Sequence, residues 1–121
     1  MSGYRPEASA VSDGAMAAWL AEALLPESVT SVPGVGPKTA EALAKVGVLT
    51  PHQLMGKFLC LRSPGLGCKP LCDAFYAWLK DSGVNANRST IVMAVAEKAT
   101  VWVPGLYNAE ECTEAAEDEA T

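Results

Sequence analysis

Histidine, charge and aromatic rings are all scarce in this chain, and each shortage closes off a class of protein. His52 is the one histidine, charged residues make up 19% of the 121 positions, and aromatics 7%. One histidine supplies neither a histidine-rich metal set nor a base paired with a nucleophile, so no catalytic constellation is expected, no enzyme and no cofactor. Trp19, Trp78 and Trp102 are too few for a stacking platform, and two of them fall on apolar stripes. They read as core anchors. No apolar run approaches the ~18 residues a membrane span needs. The stretch from Ala15 to Leu25 is interrupted by Glu22 and preceded by Arg5, Glu7 and Asp13, which is not the pattern of a secretory signal. Without such a signal, Cys60, Cys68, Cys72 and Cys112 point to a reducing compartment, nucleus or cytoplasm, and not to a disulfide framework. Cys68 and Cys72 stand one helical turn apart, but the other two cysteines are distant in sequence. Packed or free thiols and no metal site are expected.

What remains is apolar. Half of the residues are hydrophobic, enough for one core. The net charge of −5 is unevenly placed: residues 1–27 carry −3, residues 28–108 carry +4, and residues 109–121 carry −6. A mildly basic centre therefore lies between acidic ends.

Helical periodicity runs through that centre. Met16, Trp19, Leu20, Ala23 and Leu24 share one face, with Ser12 or Asp13 as cap and Pro26 as the break. Residues 26–32 leave room for about two more turns. Pro37 suits the first position of a helix that ends at Gly47. Thr50 and Pro51 open the next, striped by Leu54, Phe58 and Leu61. Pro70 excludes the helical region for the residue before it, so the following helix is expected to begin there, with Leu71, Phe75, Trp78 and Leu79 buried and Gly83 as its end. Asn87 is placed to cap a last helix from Arg88 to Lys98. The reading is a compact all-α, five-helix domain over 12–108, with a flexible leader at 1–11 and a disordered acidic tail at 109–121.

One motif in this frame carries chemistry. The segment Pro33-Gly34-Val35-Gly36-Pro37-Lys38 places a glycine hairpin directly against a helix start. The amides of Gly34, Val35 and Gly36 can converge there with the positive end of the helix dipole, while Lys38 adds a charge and Thr39 a hydroxyl. Such a grip suits a backbone phosphate and reads no base. The near copy Pro64-Gly65-Leu66-Gly67-Cys68-Lys69 has two residues between Gly67 and Pro70, so it reads as an ordinary loop. Neither segment has the Gly-Lys pair of a nucleotide-binding P-loop or the third glycine of a dinucleotide fingerprint.

With its hairpin, "WLAE", "GKFLCL", "FYAWLKDSG" and "NAN", the chain resembles the barrier-to-autointegration factor family from about Trp19 to Lys98. The resemblance implies a SAM-like helical domain with one helix-hairpin-helix. It further implies a homodimer that binds double-stranded DNA without sequence preference, bridges two duplexes and organises chromatin, together with LEM-domain partners at the inner nuclear membrane. Carried over by position, the DNA contacts are Gly34, Val35, Gly36, Lys38 and Thr39, then Asn85, Ala86, Asn87 and Arg88. Gly56 and Phe58 fall on the helix used for dimerisation. Basic positions that animal members present to DNA are Ala15, Ala42 and Thr90 here, and residues 62–69 stand as an insertion. These departures leave a second reading open, a protein-interaction module of the same fold that has lost strong DNA binding.

Overall fold

The computed structural model describes residues 3–21, 28–63, 67–101, 103, 105–108, 110 and 112. Five α-helices lie within them: α1 (Asp13–Ala21), α2 (Pro37–Lys45), α3 (Pro51–Cys60), α4 (Cys68–Asp81) and α5 (Arg88–Ala99). No strand occurs among the described residues. The fold is all-α, as the periodicity predicts.

Helix α5 is the axis of the core. Ile91, Val92, Ala94, Val95, Ala96 and Ala99 are all fully buried, and α1, α3 and α4 pack around them. Each surrounding helix contributes one apolar stripe: Met16 and Trp19 from α1, Leu54 and Phe58 from α3, and Leu71, Phe75 and Leu79 from α4. Phe58 meets Phe75 edge-on at 5.1 Å, and Phe75 stacks against Trp78 at 5.8 Å. The Trp19 indole N–H donates to the Ala94 carbonyl at 2.9 Å, so the ring anchors α1 and satisfies its polar atom at once. Trp102 lies outside the described residues.

The helix ends explain the short connections. Val48 N–H reaches back to Leu43 O and Gly47 N–H to Ala44 O, and the same pair of bonds joins Val84 to Leu79 and Gly83 to Lys80. Both α2 and α4 thus finish in a Schellman motif, with Val48 and Val84 tucked into the core. Thr50 and Gln53 form a full capping box at the start of α3.

Three expectations are corrected. Helix α4 starts at Cys68, not Pro70, with Gly67 as its cap. Pro70 then occupies the third helical position, where its missing N–H is one of those a helix leaves unpaired anyway. The two turns expected over 26–32 reduce, among the described residues, to a 3-10 turn at Val29–Ser31. The leader expected at 1–11 is packed from residue 3 onward. Tyr4 is wholly buried, its N–H donates to Asp73 Oδ1 at 2.8 Å, and its hydroxyl lies 2.5 Å from that of Tyr107. Asp73 in turn holds the buried Lys69 at 2.6 Å, and Lys69 Nζ donates to the Tyr4 carbonyl at 3.3 Å. Farther on, Ala10 N–H donates to Thr90 Oγ1 at 2.8 Å. Of the acidic segment at 109–121, only residues 110 and 112 are described, and Cys112 is fully buried.

Candidate nucleic-acid interface

The two hairpin glycines have different physical reasons. Val35 N–H donates to Val32 O at 3.0 Å and closes the reversal. Gly34 at the bend has φ +92, and a Cβ built there would stand 3.0 Å from both Ile91 Cγ1 and Thr90 Cγ2. The fold itself requires that glycine. Gly36 is free of both constraints: its φ is −95, and nothing lies within 4 Å of the place a Cβ would take. It caps α2 with no side chain, and Pro37 follows at the first helical position. The N–H groups of Gly36, Lys38 and Thr39 have no hydrogen-bond partner among the described residues.

Those open amides sit at the positive end of α2 beside an exposed Lys38. An anion approaching Gly36 meets donors and no side chain. The expected set of converging amides changes in one respect. Val35 N–H is spent on the turn, and the Val35 side chain is buried, so it supports the hairpin and offers no donor. Thr39 is also buried, on the same face as Leu43, so its side chain faces away from the exposed Lys38.

Asn85, Ala86 and Asn87 are exposed on the turn before α5. Asn87 stands at the cap position as expected, but in the left-handed region at φ 59 and ψ 27, and its side chain makes no capping bond. The first turn of α5 is therefore left open at that end. Arg88 is turned inward. Its Nη1 donates to Val84 O at 2.8 Å, its guanidinium lies 5.0 Å over the Tyr76 ring, and its buried Nε has no partner.

Gly34 and Asn87 line one cleft of about 640 Å³. Its walls run along Ala10–Ser12, Thr30–Gly34 and the start of α5 at Thr90. The tight contact of Gly34 on Thr90 and Ile91 holds hairpin and α5 start in register. Lys38 and Arg88 are not among its walls.

The basic centre is weaker on the surface than its count. Lys69 is consumed by Asp73, and Lys98 is buried, donates to the Trp19 carbonyl and lies 4.1 Å from the Trp19 ring. Lys38, Lys45, Lys57, Arg62 and Lys80 remain exposed.

On the expected dimer helix, Gly56 is half-buried with open space beside its Cα. Phe58, assigned to the interface by the resemblance, is instead wholly buried against Phe75 within the single chain. It completes the α3 core stripe and has no surface to offer a partner.

Sequence reasoning also separated the cysteines too far. Cys112 returns to Cys68 and Cys72, while Cys60 stays exposed. The one-turn spacing signalled Cys68 and Cys72; nothing local signalled Cys112.

The profile of the family described as "Barrier to autointegration factor" matches residues 14–98. No curated protein and no solved structure matches the chain.

Proposed function

Since the chain belongs to the barrier to autointegration factor family, a non-enzymatic DNA-binding family related to chromatin, we propose that it grips DNA by the backbone at the start of α2. In this reading a phosphate lies against the Gly36, Lys38 and Thr39 amides, with the Lys38 ammonium beside it. The exposed turn at Asn85–Asn87 takes a second phosphate across the cleft. The single observation that carries the reading is Gly36: nothing in the chain explains the absent side chain there, and a ligand would.

Two copies joined through α3 around Gly56 would bridge two duplexes and organise chromatin in the nucleus. The groove at that junction would receive LEM-domain proteins. No described helix is long and apolar enough to cross a membrane, so attachment to the nuclear envelope would run through such a partner.

A rival reading is favoured by the inward-turned cations. With Lys69, Lys98 and Arg88 engaged inside the domain, few phosphates are neutralised. Affinity then changes little with salt, since each neutralised phosphate adds about −0.9 to the slope of log K on log salt. A protein-interaction module would show no duplex binding at all. Gel shifts of short random duplexes at low and moderate salt decide between the two. The proposal expects a shift at low salt that weakens with added salt and is abolished by Gly36→Glu. No shift at low salt would leave the interaction module standing. Solution mass with and without duplex tests the dimer.

A further inference from the structure

Three buried thiols from two parts of the chain converge where α4 begins. Cys68 opens that helix, Cys72 lies one turn along it, and Cys112 arrives from the far end of the sequence. Their Sγ atoms all lie within 4.8 Å of one another, and the Cys68–Cys112 pair is 3.5 Å apart. A free cysteine packs as a small apolar side chain and needs no second sulfur beside it. Three together need a different explanation.

The surroundings favour negative charge on sulfur. Asn108 N–H donates to Cys68 Sγ at 3.3 Å. Gly67 caps α4 without a side chain, so the positive helix end faces Cys68 unscreened. The Cys68 thiol is held well below its ordinary value because Cys112, then Cys72, donate S–H to it, with the Asn108 N–H assisting. That sharing with Cys68 pushes Cys112 up to about 12, and Cys72 is driven up by Cys112, Cys68 and burial. In the metal-free protein one thiolate is thus cradled by two thiols.

We propose that Cys68, Cys72 and Cys112 form a three-thiolate site for a thiophilic d10 metal ion, which fastens the segment carrying Cys112 to the start of α4. The ion enters and two protons leave, one from Cys72 and one from Cys112. Metal–sulfur bonds of about 2.3 Å require sulfurs roughly 3.8–4.0 Å apart, which the present cluster meets with small side-chain rotations. Soft thiolates select zinc(II) or copper(I). Among the described residues no histidine or carboxylate joins the three sulfurs. Copper(I) is satisfied by three sulfurs, whereas zinc(II) takes a fourth ligand, so the two ions are separate arms of the test.

The full chain, reduced and kept free of oxygen, would be titrated with cobalt(II) as the optical probe for zinc(II), and separately with copper(I). The expected result is one ion per chain in at least one arm, with thiolate-to-metal charge-transfer absorption. Two protons should be released, so the affinity falls as pH is lowered. Alkylation then supplies a control independent of any variant: the bound ion protects three cysteines and leaves exposed Cys60 reactive. Cys60→Ser should bind as the parent does, while Cys112→Ser should lose at least tenfold in affinity. Absence of binding in both arms with all four thiols reduced overturns the proposal. So does binding that Cys112→Ser leaves unchanged, or alkylation of Cys112 at the free rate in the metal-loaded chain.

Discussion

Replacing each hairpin glycine by alanine should separate folding from binding within a few residues. Gly34 sits at φ +92 with Ile91 and Thr90 atoms 3.0 Å from the missing Cβ. Alanine there meets two penalties, roughly 1–2 kcal/mol for the left-handed backbone and roughly 1–3 kcal/mol for overpacking. Gly34→Ala should therefore lose about 2–5 kcal/mol, and its melting temperature should fall by ~10 °C or more. Gly36→Ala meets neither, since φ is −95 and the space is open. Its stability should stay within about 0.5 kcal/mol of the parent. The new methyl group nevertheless occupies the approach to the free amides. A hydrogen bond from an amide to a charged oxygen contributes about 1.5–3 kcal/mol. Losing one weakens duplex binding about 10- to 100-fold. Thermal melts beside fluorescence-anisotropy titrations of a random duplex at low salt read both quantities. If Gly36→Ala melts as far below the parent as Gly34→Ala, the division of roles is wrong. If it binds duplex as the parent does, the phosphate is not at Gly36.

Lys69→Met should cost about 3–5 kcal/mol, because it strands the Asp73 carboxylate in a half-buried site. It should also loosen residues 3–11, which limited proteolysis would detect as new cleavage there. Glu97 is raised above its ordinary value of 4.5 by burial, so its charged form opposes folding. That penalty is absent below the unfolded value, sets in as pH rises through the folded one, and persists above it. Glu97→Gln should melt higher than the parent at pH 7, and melts across a pH series should show the gap closing on acidification. Phe58→Ala should cost about 3–5 kcal/mol as a core deletion. In denaturant titrations at several protein concentrations that loss should be independent of concentration; a concentration-dependent loss would return Phe58 to an interface.

Helices α2, α3 and α5 were legible almost to the residue, because Pro37, Thr50-Pro51 and Asn87 announce starts that only local chemistry decides. Helix α4 was misjudged at its start, where the bias against helix before proline met a first turn that asks nothing of Pro70 N–H. Within the site, Gly36 and Lys38 were readable from spacing. The spent Val35 amide, the buried Thr39 and the inward Arg88 were not, since each depends on a partner brought by folding. The same holds for Tyr4 and Cys112. Their partners Asp73 and Cys68 are remote in sequence, and no periodicity links them.

The unclosed start of α2 also sets stability against use. Helix α3 satisfies its first amides with its own Thr50 and Gln53, whereas α2 carries glycine at the equivalent place. Asp, Asn or Ser at position 36 would close that end and strengthen the helix by a few tenths of a kcal/mol. An aspartate would do so by laying its own carboxylate across the donors, in effect a permanently bound ligand. Selection for heat resistance alone would drift towards such residues and silence the site on the way. Glycine at this position is thus a small instability kept in reserve, and a thermostabilised variant of this chain should be checked there first.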